Sequence, residues 1–147
     1  MEPEALSLEL TRRLAAPRPR VVEHFTDAAL LARWWGPRGF RIPSIDFVPR
    51  VGATYRIEMQ PSEGEAFALA GIFRRVDRSH LAFTFAWQPA DPDDQETLAE
   101  LSFHAVDDST EIHIEQGRFR TEARRELHRT GWTESLDRLA EVLAEQP

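Results

Sequence analysis

The sequence predicts an α+β domain: a curved antiparallel β-sheet of six to seven strands wrapped around a long C-terminal helix, with two short helices after the first strand. Three observations predict it. From residue 53 to 116, apolar side chains recur at every second position, in runs separated by short polar turns. The segment 121–146 then switches to helical spacing. Pro17 and Pro19 break the chain between the first strand-like run and a short helical stretch.

Each element has its own signal. Leu6, Leu8 and Leu10 alternate in the first strand, 6–14. Pro19 suits the first turn of a helix, in which Val22, Phe25, Leu30 and Leu31 form a rough apolar stripe. Thr26 or Asp27 is placed to cap a second short helix over 28–33. "PSIDFVP" is a short, Pro-bounded run. Tyr55, Ile57 and Met59 share one face of 53–60, and Phe67, Leu69, Gly71 and Phe73 share one face of 66–76. Leu81, Phe83, Phe85 and Trp87 lie opposite Ala82, Thr84 and Ala86. Ala99, Leu101 and Phe103 follow, then Ile112 and Ile114. "PSEGE", "VDRSH", "PADPDDQ" and "VDDS" are turn signals, so consecutive strands form an antiparallel meander.

In the last segment Thr121 is placed as an N-cap, and Leu127, Trp132, Leu136, Leu139 and Leu143 fall near one stripe. Gly131 interrupts it. An interior glycine costs about 1 kcal/mol relative to alanine, so a close strand contact or a kink is expected there. One helix must cover the apolar faces of all the strands. A curved sheet cannot close completely on one helix, so an internal cavity is expected.

Composition narrows the function. The 147 residues suit one domain, 1–147. With no Cys and no Lys, thiolate nucleophiles, Cys-type zinc sites and Schiff-base chemistry are excluded. The net charge of −7 argues against a nucleic-acid partner; Arg12, Arg13, Arg18 and Arg20 read as a solvated edge. No apolar run reaches the ~20 residues of a membrane span. The acidic start, "MEPEALSLEL", lacks a signal-peptide pattern, so a cytoplasmic location without membrane insertion is expected.

"RWWGPRGF", "RVGATYRIEM", "GIFRRVDRSHLAFTFAW" and "HRTGW", with the leucines after it, stand in an order that resembles the family named for the activator of the heat-shock protein 90 ATPase. The resemblance is to its single-domain bacterial form and covers about residues 6 to 145. That family sits in the START-like, birch-pollen-allergen-like (SRPBCC) superfamily with a helix-grip fold. One departure is Ala53, where the family more often has the second of two glycines. The resemblance implies a pocket between sheet and C-terminal helix but no fixed reaction.

It also places Trp34 and Trp35 beside the pocket mouth, one buried and one near the opening, with Gly36 and Gly39 permitting a tight, mobile turn. By strand parity Tyr55, Phe73, Phe85, Trp87 and Phe103 point inward, and Trp132 joins them from the helix. These eight aromatics are the expected pocket lining, suited to a flat apolar ligand. His128, the family's histidine four positions before the Trp, is the candidate polar group. The five histidines show no metal-ligand spacing, and no metal or other cofactor is expected. "DPDDQE" lacks calcium-loop spacing and reads as a solvated hairpin loop. "GWTES" is no nucleophile elbow, so no catalytic residue is assigned.

The expected function is binding of a small hydrophobic or aromatic molecule, more in keeping with a non-enzyme than an enzyme. One alternative is an enzyme of the polyketide cyclase or hydrolase type, using Tyr55, His128 or a Glu. Another is a chaperone ATPase-activating interaction module. The chain leaves no room for the extra N-terminal domain of the full eukaryotic activator, which counts against a chaperone partner. A homodimer stays open.

Overall fold

The computed structural model describes residues 6–145; the acidic stretch 1–5 and the last two residues lie outside that range. Strand β1 (Leu8–Leu14) leads to Pro17, at the boundary of α1 (Arg18–Thr26). Proline is tolerated in a first helical turn because that N–H would have no intrahelical partner. Asp27 ends α1, and its carboxylate accepts the Leu30 N–H at 3.1 Å to start α2 (Ala28–Leu31). The inner face of α1 carries Val21, His24 and Phe25. Val22, expected in that stripe, is half-buried beside them.

Six strands follow: β2 (Arg41–Phe47), β3 (Thr54–Gln60), β4 (Phe67–Val76), β5 (His80–Gln88), β6 (Thr97–Val106) and β7 (Ser109–Gly117). Thr121 then caps α3 (Glu122–Glu145), its hydroxyl accepting the Arg124 N–H at 3.1 Å. The seven strands form one antiparallel sheet in the order β1-β7-β6-β5-β4-β3-β2. The α1–α2 pair carries the chain from one edge of the sheet to the other. This is the helix-grip arrangement, a sheet curved over one long helix.

Strand parity sets the core. Tyr55, Ile57, Met59, Leu69, Phe73, Leu81, Phe83, Phe85, Ala99, Leu101, Phe103, Ile112 and Ile114 are all buried. On α3 the buried face is His128, Trp132, Ser135, Leu136, Leu139, Val142 and Leu143. Leu127, expected on this stripe, is instead 56% exposed. Five residues before Trp132, it lies roughly 140° around the helix, whereas His128, four before, lies nearly in line. Ala53 also finds its explanation. Of the pair, Gly52 has φ +87°, and Ala53 uses its carbonyl to accept the Phe73 N–H at 3.0 Å. The left-handed residue of the turn is thus kept as glycine.

Trp132 ties helix to sheet. It is 5% exposed, and its indole N–H donates to Gln116 Oε1 at 2.7 Å. Gln116 in turn donates to Thr97 Oγ1 at 2.9 Å. Trp132→Ala is expected to cost about 3–5 kcal/mol in denaturant melts, as for other buried aromatics. Trp132→Phe is expected to cost less, about 1–3 kcal/mol, chiefly from leaving buried Gln116 without its donor. A loss below roughly 1 kcal/mol in Trp132→Ala would show that the ring does not hold the helix in place.

Candidate functional site

Gly131 marks the site. Apart from its chain neighbours and the backbone of its own helix, no atom lies within 4 Å of the point where its Cβ would stand. The close strand contact expected for this glycine is not what the structure shows. Helix α3 runs uninterrupted through it, and the missing side chain opens onto a cavity of about 380 Å³. That volume falls in the roughly 300–1,000 Å³ range of small-molecule pockets.

His128, Gly131, Trp132 and Ser135 recur at i, i+3, i+4 and i+7, so one helix face forms the ceiling. Met59 on β3, Phe67 on β4, and Phe85 and Trp87 on β5 form the opposite wall. Trp35, Gly36, Pro37 and Phe40 close one end. Pro89, Asp91 and Leu127 also border the cavity and are exposed, which places its rim between the β5–β6 loop and the first half of α3.

The paired tryptophans divide as adjacent side chains must. Trp34 is fully buried, edge-on to Phe25 at 4.7 Å, and its indole N–H donates to the His24 carbonyl at 3.0 Å. Trp35 reaches the cavity and meets Trp132 edge-on at 5.5 Å. Gly36 and Gly39 take φ +91° and +90°, values that favour glycine. Mobility does not follow, because the turn is fastened to α3. Ser135 Oγ accepts the Gly36 N–H at 3.1 Å, and Glu134 accepts the Arg38 N–H at 3.2 Å. Arg138 donates to the carbonyls of Trp35, Gly36 and Pro37 at 3.0, 2.8 and 3.2 Å. Arg38 pairs with Glu141.

Of the residues expected to line the pocket, Trp35, Phe85, Trp87, Trp132 and His128 meet on the cavity. Trp34, Tyr55, Phe73 and Phe103 lie in the packed core away from it. Phe103 meets Phe25 at 5.2 Å. Tyr55 and Phe73 pack at 5.4 Å around a separate void of about 20 Å³, with room for a water rather than a ligand. Parity separates inner from outer faces, but it cannot say which inward ring meets a neighbour and which meets open space. The Tyr55 hydroxyl donates to the Thr84 carbonyl at 2.6 Å, and burial, with a smaller effect of Glu96, holds its phenol protonated far above the ordinary range.

His128 is held in one tautomer. Its Nδ1 faces the Arg124 carbonyl at 2.8 Å and must donate to it. Its Nε2 accepts the Trp87 indole N–H at 2.9 Å, and an indole can only donate. Burial lowers the imidazole's affinity for a proton, outweighing the opposite pull of the Arg124 carbonyl and Asp94. The ring is neutral, with no lone pair left for a ligand's proton.

Arg124, Asp91 and Asp94 were legible only as loop and helix surface. The guanidinium of Arg124 pairs with Asp91 and, at 3.3 Å, with Asp94, whose side chain is 7% exposed. The "DPDDQE" loop is therefore solvated along most of its length but anchored to α3 at the rim. Among the described residues no group of three His, Asp or Glu side chains is placed to hold a metal ion. No described helix is long and apolar enough to cross a membrane.

Fold and cavity together define a helix-grip domain with an apolar interior site. The chain belongs to the family described as Activator of Hsp90 ATPase homolog 1-like protein, whose profile matches residues 15–144. Among solved structures it is similar to AHSA1 (SPO3351) from Silicibacter pomeroyi, with 26% identity and a TM-score of 0.85 over 96% of this chain and 99% of that one. It is similar to CV1439 from Chromobacterium violaceum, with 24% identity and a TM-score of 0.85 over 93% and 96%. DynU16, from the dynemicin biosynthetic locus, shares the fold at 19% identity and a TM-score of 0.77, over 95% of this chain and 47% of that one. No curated protein matches the sequence significantly.

The state of His128 has a consequence for stability. Its folded pKa lies below the ordinary 6.5, so on acidification the unfolded chain takes up a proton before the folded one does. The contribution is full above pH 6.5 and is lost as pH falls from there toward the folded value. Denaturant melts between pH 7 and pH 5 are expected to show stability falling. His128→Gln, which cannot titrate, is expected to flatten that part of the curve; an unchanged slope would assign the loss to other groups.

Proposed function

We propose that this protein binds a small apolar or aromatic molecule in the cavity under α3, without covalent chemistry. The observation that carries the reading is Gly131: a helix-interior glycine with open space in front of it, ringed by Trp35, Phe85, Trp87 and Trp132. A helix that needed only to pack would gain from alanine there. Membership of a family whose fold is associated with small-ligand binding supports the same reading. The groups named for an enzyme are otherwise engaged: Tyr55 lies off the cavity with its proton bound to Thr84, His128 has both nitrogens bonded, and among the described residues no Glu lines the cavity. A cavity of this size also favours a ligand carrier over a purely protein-binding module.

The test is a panel of aromatic and isoprenoid-like compounds, followed by intrinsic Trp fluorescence and calorimetry. Gly131→Leu is expected to fill the space, lower affinity at least tenfold for every compound that binds, and leave the melting temperature unchanged or raised. Gly131→Ala is expected to stabilise the helix by up to about 1 kcal/mol with a milder loss of affinity. Wild-type affinity in Gly131→Leu would show that ligands bind elsewhere.

The ligand's path runs through the rim rather than the tryptophan turn, because the turn is fastened to α3 and the rim is exposed, its loop joined to α3 through Arg124. In stopped-flow fluorescence, Arg124→Gln is expected to speed release of a bound compound severalfold. Arg75→Gln, which removes a surface ion pair with Asp77 away from the cavity, is the control. Unchanged release in Arg124→Gln would move the path elsewhere.

A further inference from the structure

The unused hydrogen-bonding groups of the cavity narrow the ligand's chemistry, on the reading just proposed. Most polar side chains there are committed. The Trp87 N–H donates to His128, the Trp132 N–H to Gln116, and Arg124 pairs with Asp91 and Asp94. His128 Nε2 is occupied by Trp87, and Asp94 also accepts the Asp91 N–H at 2.8 Å.

Two donors are left over. Trp35 borders the cavity, is 7% exposed, and its indole N–H has no hydrogen-bond partner among the described residues. Ser135, also on the cavity and 5% exposed, accepts the Gly36 N–H, while its own proton has no acceptor among the described residues. The two belong to one junction, since Gly36 follows Trp35 directly. That junction lies at the enclosed end: Ser135 stands seven residues beyond His128, about 10 Å along the helix axis from the rim. The Trp35 nitrogen still touches open space rather than being sealed in protein, so an acceptor that reaches it adds a hydrogen bond.

We propose that the ligand is a neutral molecule with a planar apolar body and one hydrogen-bond acceptor, a ketone, ester or ether oxygen, received at the enclosed end by the Ser135 hydroxyl and the Trp35 indole N–H. The body lies between Trp132 and the Phe85–Trp87 wall, whose rings meet at 5.3 Å. An anion is disfavoured. Arg124 is the cation of the lining and is held between two aspartates, so a carboxylate would lose its hydration without a countercharge.

The test uses three probes of one shape: fluorene, 9-fluorenone and fluorene-9-carboxylate, titrated into the protein at pH 7 by calorimetry. Fluorenone is expected to bind about five- to tenfold tighter than fluorene, the worth of a net buried hydrogen bond. The carboxylate is expected to bind at least tenfold weaker than the ketone. Ser135→Ala and Trp35→Phe are each expected to shrink the ketone preference. The double variant is expected to erase it, read as the ratio of fluorenone to fluorene affinity within the same variant. Infrared spectra of fluorenone bound to the wild-type protein supply a readout that needs no variant: the carbonyl stretch is expected below its value in hexane. Equal affinities for fluorene and fluorenone, a stretch at the hexane value, a preference surviving in the double variant, or tighter binding of the carboxylate would each overturn this inference while leaving the apolar-carrier reading standing. Binding of none of the three would overturn the carrier reading and this inference with it.

Discussion

Trp132 donates to Gln116, and Gln116 donates to Thr97, so one chain of hydrogen bonds sets how far α3 stands from the sheet. An indole is a large wedge, and its buried N–H has to find an acceptor. Both demands are met at the β6–β7 side of the sheet. Toward β3, β4 and β5 the helix therefore stands off, held by the wedge. With glycine beside it at position 131, nothing fills the interval. The cavity follows from anchoring one long helix on one large side chain over a curved sheet.

Two series of aromatic contacts extend from this arrangement. One runs from Phe103 through Phe25, Trp34 and Trp35 to Trp132, with ring centroids 4.7–5.6 Å apart. It connects the first helical pair to the last helix through the sheet's concave face. The other runs from Phe67 through Trp87 to Phe85 and on to Phe83, and its first three rings form the facing wall. Edge-to-face geometry dominates both, as ring quadrupoles favour. Such interlocking rings leave few alternative rotamers, which keeps the cavity's shape preformed.

The two ends of the cavity differ in how they are held. At the tryptophan turn, Arg138, Ser135 and Glu134 bind successive backbone groups, so a whole stretch of chain is fixed at once. At the rim, ion pairs from one guanidinium join the loop to α3, Gln95 donates to the Arg118 carbonyl, and Asp91 is exposed to solvent and salt. The neutral His128 between them adds no charge to the apolar interior. An enclosed, stiff end and a lightly held rim suit capture and release of a whole molecule.

Much of this was legible in the linear sequence. Period-two runs and a terminal amphipathic helix determined the inner faces, the helix-grip class and a sheet of six to seven strands, of which the structure has seven, because side-chain direction in a strand follows from backbone geometry alone. Adjacency required Trp34 and Trp35 to part, and they do. The absence of Lys and Cys determined which chemistries were closed to the protein. Tertiary structure decided the rest. Tyr55, Phe73 and Phe103 share their parity with Phe85 and Trp87, yet they fill the core where sheet and α1–α2 close together, and only the latter pair faces the gap under α3. The rim pairing of Arg124 with Asp91 and Asp94 spans some thirty positions of chain, and no local pattern announces it. Gly131 was visible as an anomaly, but its meaning lay in the space before it. Periodicity dictates which way a side chain points; what it meets there is settled only when distant elements pack.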